Sequence, residues 1–232
     1  MARIPNAVLE EIHTTNSFKV PDGSVVNSEP PLRESFCYAL YSTILRQKPK
    51  TVVEVGMAYG TSTLSILTAL KETGGTGRLI SLDPVQSTDF RGIGIYAVKR
   101  SGLDHLHQLI EEPDYLALPA LLRASTPVDF VYIDGWHTFD YALLDWFYAD
   151  RLIQPGGIVA FNDCNYKAVH KVIKFLLSHR HYEEMDVGLK PVYESRLIGG
   201  SIVKRISGRN GADRYFKKLD KWEPGYNFFH YF

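Results

Sequence analysis

TVVEVGMAYGTSTLSI, residues 51–66, opens as a strand, breaks into a glycine turn and leaves that turn as a helix. Val52, Val53 and Val55 make a short apolar run of the kind that a parallel strand buried on both faces requires. Gly56 and Gly60 permit backbone angles, or a close approach of other atoms, that a side chain would forbid. Thr61 and Ser62 then offer hydroxyls and free amides where the helix starts. A strand–turn–helix unit of this type is a small-molecule site near the amino end of an α/β domain.

The pattern extends on both sides of this stretch. ESFCYALYSTILRQ, 34–47, has helical spacing through Phe36, Leu40, Ile44 and Leu45, and Pro49 ends it. Strands are predicted at 51–55, 79–82, 106–110, 128–133 and 157–161, with helices near 61–73, 90–101, 115–124 and 138–153 between them. Such alternation calls for an α/β fold: a doubly wound, mostly parallel sheet with helices on both faces and right-handed crossovers. A sixth unit runs from the helix YKAVHKVIKFLLSH into HYEEMDVGL. Residues 181–187 and 200–206 are expected to close the sheet as an antiparallel pair after a Gly-Gly turn. The domain is thus expected at 34–206, preceded by an extension or lid at 1–33 that contains VPDGSVVNSEPP. It is followed by a tail at 207–232 with six aromatics among residues 222–232. An aromatic density of that kind predicts docking on the domain, a homodimer contact or a wall of the substrate pocket.

Composition narrows the partners. The chain has 232 residues, 45% apolar and 22% charged, as one soluble domain would. Lys+Arg and Asp+Glu are equal at 26 each, so no global charge draws it to nucleic acid or to an anionic membrane. Cys37 and Cys164 have neither metal spacing nor a disulfide framework, which favours a reducing compartment. No apolar run has the length of a signal peptide or a membrane span, so a cytoplasmic protein is expected.

The glycine turn excludes two phosphate cradles. A dinucleotide fingerprint needs G-x-G-x-x-G, whereas Gly56-x-x-x-Gly60 has Ala58 at the middle position; the Gly-Lys-Ser/Thr of a P-loop is absent as well. A nicotinamide dehydrogenase therefore lacks its pattern. Asp83 closes the second strand in LISLDP, 29 positions after Glu54. At the carboxyl end of the neighbouring strand it stands beside the glycine turn and can accept both hydroxyls of a ribose. The alternative is a purely structural Asp-Pro turn cap. The ribose reading predicts an adenosine-like ligand without a phosphate demand.

Four motifs in register, E-V-G-x-x-x-G-x-S at 54–62, LDP at 82–84, DFVYIDGWH at 129–137 and LIQPGGIVAFNDC at 152–164, resemble the Rossmann-like S-adenosylmethionine (SAM)-dependent methyltransferases. The likeness is closest to the small-molecule O-methyltransferases of catechol and macrolide-sugar type. It implies seven strands with the last antiparallel. Gly56, Ala58 and Gly60 would line the methionyl part of SAM, with Ser62 at its carboxylate and Glu54 behind the loop near its ammonium. Asp83 would hold the ribose, and Glu112 in IEEPDY would meet the adenine.

Methyl transfer to oxygen also needs the acceptor's proton removed, by a base or by a metal. Asp134 and His137 follow the fourth strand; Asn162, Asp163, Cys164 and Asn165 follow the fifth. Oxygen donors converging from adjacent strand ends beside the SAM methyl suit Mg²⁺. In the metal-dependent relatives Asp134 and Asp163 match ligand positions. The third place departs from the pattern: Cys164 stands where the catechol type has Asn, and Asn162 where the sugar type has Asp. A thiol is a poor Mg²⁺ ligand, so Asn162 completes the metal set, or Asn165 reaches in. His137 offers a route without metal, because its ordinary pKa of about 6.5 lets it take a proton near neutrality. The expected catalytic residues are Asp134, His137 and Asp163, with Trp136, Tyr59 and Tyr166 close by. The expected function is SAM-dependent methylation of a small-molecule hydroxyl. The alternative is a non-catalytic SAM-binding or scaffolding protein of the same fold.

Overall fold

The computed structural model describes residues 3–27, 31–189, 196–198, 201–203 and 213–231. Helix α1 (Ala7–Thr15) is followed by a small hairpin of β1 (Phe18–Lys19) and β2 (Val25–Val26), and then by α2 (Glu34–Gln47). The alternating part comprises β3 (Thr51–Val55), α3 (Thr61–Glu72), β4 (Arg78–Leu82), α4 (Ile93–Arg100), β5 (His107–Ile110) and α5 (Asp114–Arg123). It continues through β6 (Val128–Ile133), α6 (Phe139–Leu152), β7 (Ile153–Phe161), α7 (Lys167–His179) and β8 (Tyr182–Met185). Two short strands, β9 (Arg196–Ile198) and β10 (Ser201–Val203), precede β11 (Arg214–Lys218).

Seven strands form the sheet in the order β5-β4-β3-β6-β7-β11-β8. The five from β3 to β7 run parallel, and β11 is antiparallel to both of its neighbours. Successive residues of β3 face opposite layers: Val52 belongs to one buried cluster with Leu40 and Leu64, Val53 to the other with Trp146 and Val172. This two-sided burial is why the central strands are continuous apolar runs.

The expected seven-stranded sheet with an antiparallel last strand is present, but a different segment supplies that strand. Ser201–Val203 pairs only with Arg196–Ile198, in a separate two-stranded hairpin. Residues 199–200 and 204–206 of the expected turn and strand lie outside the described residues. The closing strand is β11, within the span read as tail. Tyr215 enters one core and Phe216 the other, so this stretch satisfies both faces of an interior position. The last residues dock in part: Trp222 stacks on His181 with ring centroids 4.6 Å apart, while Tyr226, Phe229 and Tyr231 stay exposed.

Helix α1 was not legible as a helix. Asn6 caps it by accepting the amide N–H groups of Val8 and Leu9, and donates its own amide N–H to Thr68 Oγ1 at 2.9 Å. Val8, Leu9 and Ile12 then pack on the domain. The PDGS turn connects β1 to β2, and Phe18 of that hairpin stacks on Tyr59 at 4.5 Å. No helix among the described residues is long and apolar enough to cross a membrane.

Candidate active site

The sheet ladder runs one residue past the strand ends. Leu82 O accepts the Gly56 N–H, Val55 O that of Asp134 and Ile133 O that of Asn162, each at 2.9 Å, and Ile110 O accepts the Asp83 N–H at 3.2 Å. Asp83, Gly56, Asp134 and Asn162 therefore stand in a row along the carboxyl edge. The chain order reverses between β3 and β6, the switch point at which α/β sheets bind ligands.

At that point the loop after β3 is pressed against its neighbours. A Cβ on Gly56 would lie 2.2 Å from the Asp134 carbonyl oxygen, and one on Gly60 would lie 3.1 Å from Gly94 Cα. Ala58, where a dinucleotide motif has glycine, adopts φ +45°. Tertiary contacts hold it there. Asp83 Oδ2 accepts the N–H groups of Met57 at 3.2 Å and Ala58 at 2.8 Å. Buried Gln86 donates to Ala58 O at 2.9 Å and accepts the Gly94 N–H at 3.0 Å. Asp83 also caps its own turn, accepting the Val85 N–H at 3.1 Å, and it lines the cavity beside the loop. Gln86 and Gly94 escaped the sequence reading; the place of Gln86 three residues after Asp83 was the one available signal.

Glu54 is fully buried behind the loop. Its Oε2 accepts hydroxyl protons from Thr63 at 2.7 Å and Ser81 at 2.6 Å, whereas Oε1 has no partner among the described residues. Burial pushes its carboxyl up to about 7, against the opposing pull of Ser62, Ser81 and Thr63. Ser81 is also 3.0 Å from His107 Nε2, and burial brings His107 down to about 4, which keeps it neutral near pH 7.

The cavity in front of the glycine loop has a volume of about 690 Å³. Asp83 and Ala58 form one side, Asp134 and His137 another. At the far end the wall is Pro113, Asp114 and Tyr115, with the expected residue Glu112 exposed beside them. Trp136, 68% exposed, and Tyr141 complete that rim. A second cavity of about 480 Å³ shares Ala58, Phe90 and Asp134 with the first. Ser62 and Asp163 line it, and Phe18 and Phe36 supply an aromatic wall from the amino-terminal segment.

Asp134, His137 and Asp163 meet where the two cavities join. His137 Nε2 lies 3.6 Å from Asp134 Oδ1 and 3.6 Å from Asp163 Oδ2, and its ring stacks on Tyr166 at 5.1 Å. Burial works against a charged imidazole, but the two carboxylates outweigh it and raise the His137 pKa. Burial also lifts Asp134 to about 6, more than His137 pulls it down.

The metal set does not assemble. Asn162 is turned inward: its Nδ2 donates to Asp213 Oδ1 at 3.0 Å and to Tyr132 Oη at 3.3 Å. The buried Cys164 thiol donates to Phe161 O at 3.2 Å. His137 Nε2 stands between the two carboxylates, so an imidazole nitrogen occupies the place of a bridging ion. Among the described residues no group of three or more His, Cys, Asp or Glu side chains is placed to hold a metal. The donors present do not fit Mg²⁺, which wants about six oxygens.

Residues 53–164 match the family described as "Methyltransferase domain". That match spans just under half of the chain. Over 145 residues, 61% of this chain, it is 26% identical to a protein of Arabidopsis thaliana named for caffeoyl-CoA O-methyltransferase, and it spans 57% of that relative's length. The fold is shared with the O-methyltransferase TomG from Streptomyces achromogenes in complex with SAM, at 14% identity, TM-score 0.63, and 92% and 90% coverage of the two chains. It is shared also with a Bacillus cereus O-methyltransferase in complex with SAH, at 16% identity, TM-score 0.64, and 92% and 91% coverage. A Podospora anserina methyltransferase bound to SAH gives 18% identity, TM-score 0.65, and 94% and 90% coverage.

The bare Gly56 lets the loop pack directly on the Asp134 backbone, Glu54 Oε1 is a buried oxygen behind the loop, and Asp83 stands at the cavity edge. The cavity volume lies within the range of cofactor sites.

Proposed function

We propose that the protein transfers a methyl group from SAM to a hydroxyl of a small molecule, with Asp134, His137 and Asp163 at the reacting end. The observation that carries the reading is the meeting of these three side chains at the junction of two cavities. The cavity that contains Asp83 and Asp114 takes the adenosyl part; the one walled by Phe18 and Phe36 takes the acceptor. Asp114 replaces Glu112 at the adenine end. Gly56, Ala58, Gly60 and Ser62 hold the methionyl part, with Glu54 behind them.

Bound SAM supplies a methyl group on a sulfonium sulfur, open to in-line displacement. The acceptor hydroxyl gives its proton to His137 Nε2, and Asp134 with Asp163 stabilises the imidazolium that results. As the oxygen–methyl bond forms the sulfur–methyl bond breaks, and S-adenosylhomocysteine (SAH) leaves. Phe18 and Tyr59 keep water from the junction. The exposed Tyr226, Phe229 and Tyr231 are proposed as a homodimer contact, to be checked by sedimentation.

Isothermal titration tests the cofactor: SAM and SAH are expected to bind, and absence of heat from both rejects the reading. His137→Ala and Asp163→Ala are expected to keep SAH affinity while abolishing methyl transfer to a phenolic or sugar acceptor panel. Unchanged product from both variants would remove these residues from the chemistry.

A further inference from the structure

Behind the adenine end of the cavity lies a carboxyl group that the proposed chemistry does not use. Asp145 of α6 is 0% exposed, and neither of its oxygens has a hydrogen-bond donor among the described residues. It faces the carboxyl of Asp114, the first residue of α5. Its Oδ2 also sits 3.7 Å from where a Cβ on the cavity-lining Gly135 would be. Two carboxylates cannot hydrogen-bond to each other unless one of them carries a proton.

The surroundings decide which one does. Asp114 lines the cavity and accepts the Tyr115 N–H at Oδ1, 2.7 Å away, a contact that favours its ionised form. Asp145 has no such donor and no water-facing surface. Tyr115 and Tyr141 are the other phenols of this cluster, and burial raises Tyr141 above its ordinary range, so that it stays neutral near pH 7 and leaves the balance between the acids unchanged. We propose that Asp145 keeps its proton and donates it to Asp114, so that Asp114 meets the ligand as a fixed acceptor, selective for an exocyclic amine on a purine. Burial, reinforced by Asp114, raises Asp145 well above the ordinary carboxyl range, in agreement with this arrangement.

Asp145 is thus a positioning residue that acts through Asp114. The inference rests on the SAM reading: it explains how the cavity would tell adenine, which offers an amine, from hypoxanthine, which offers an oxo group. An acceptor held by two donors rejects an oxo oxygen strongly, because both groups would be left unpaired.

The test compares SAH with S-inosylhomocysteine by calorimetry on the wild type, Asp145→Asn and Asp145→Ala. Wild type is expected to prefer SAH by at least about tenfold. Asn retains an N–H donor, so Asp145→Asn should keep that preference within about threefold. Asp145→Ala should weaken SAH by about tenfold and abolish most of the preference. Infrared difference spectra of the unliganded protein, wild type minus Asp145→Asn at pH 7, should show the carbonyl stretch of a protonated carboxylic acid. The inference is overturned if that difference shows carboxylate bands instead. It is equally overturned if wild type does not discriminate, if Asp145→Ala binds both ligands like wild type, or if Asp145→Asn is as defective as Asp145→Ala. Should Asp145→Ala not fold, Asp145→Asn and the infrared difference decide. Wild type that binds neither SAM nor SAH rejects the methyltransferase reading, and the infrared result then decides the proton on its own.

Discussion

Asp83 and Ala58, 25 residues apart, are joined by a 2.8 Å hydrogen bond from the Ala58 amide to Asp83 Oδ2. The bond pins a non-glycine residue in left-handed backbone at φ +45°, a conformation costing roughly 1–2 kcal/mol for a side-chain-bearing residue. Asp83→Ala is therefore expected to lower Tm and to weaken SAH binding by about tenfold or more. Adding Ala58→Gly should restore part of the Tm, because glycine needs no clamp there. Calorimetry of the single and double variants checks both; an equal Tm in the two would refute the clamp.

Gly56→Ala should be the most damaging single change in the loop. Its Cβ would lie 2.2 Å from the Asp134 carbonyl oxygen, and the backbone stands at φ +87°. Backbone must move to relieve a contact with backbone. The expected loss is about 2–4 kcal/mol in urea unfolding, with SAH binding lost in whatever folded fraction remains. Retained SAH affinity would show that the loop has room to spare.

Glu54 makes stability depend on pH. Its carboxyl ordinarily titrates at 4.5 and stands at about 7 in the fold. Between these values the unfolded chain has released the proton while the folded chain retains it. Stability from this group therefore falls as pH rises from about 4.5 to about 7 and is level above that. Glu54→Gln removes the slope, worth on the order of 3 kcal/mol for a fully buried group. Asp134, raised to about 6, slopes in the same direction, so the measurement is the difference between wild type and Glu54→Gln in melts from pH 4 to 8. Parallel curves would dismiss the shift.

Chelation should leave the reaction intact. The Asn162 amide is committed to Asp213, and His137 lies between the two acids a cation would bridge. Methyl transfer measured after dialysis against EDTA is expected to match the untreated rate. Loss of activity that Mg²⁺ restores would mean that His137 swings aside and the acids bind metal after all.

The strand–turn–helix at 51–66, the five parallel strands and the row of Asp83, Asp134 and Asp163 were legible because each depends on local pattern. Apolar runs two to five residues long, glycines at sharp turns and acids just past strand ends follow directly from what a buried parallel sheet demands of its chain. Helix α1 was missed because three apolar residues in one short turn-and-a-half carry little periodicity without the cap at Asn6. SIVKRI and RYFKK were interchanged for a related reason: both look like strands, and only packing shows that Tyr215 and Phe216 fill both cores.

Residue identity alone determined that this chain makes a doubly wound, mostly parallel sheet with acids along its carboxyl edge. Tertiary structure decided which of those acids lines the cavity, which faces another acid and which is already held by amides. The reason is that a side chain's chemistry is set by its partners, and Asp114 with Asp145, Asn162 with Asp213 and Asp83 with Ala58 become partners only when segments distant in the chain pack together.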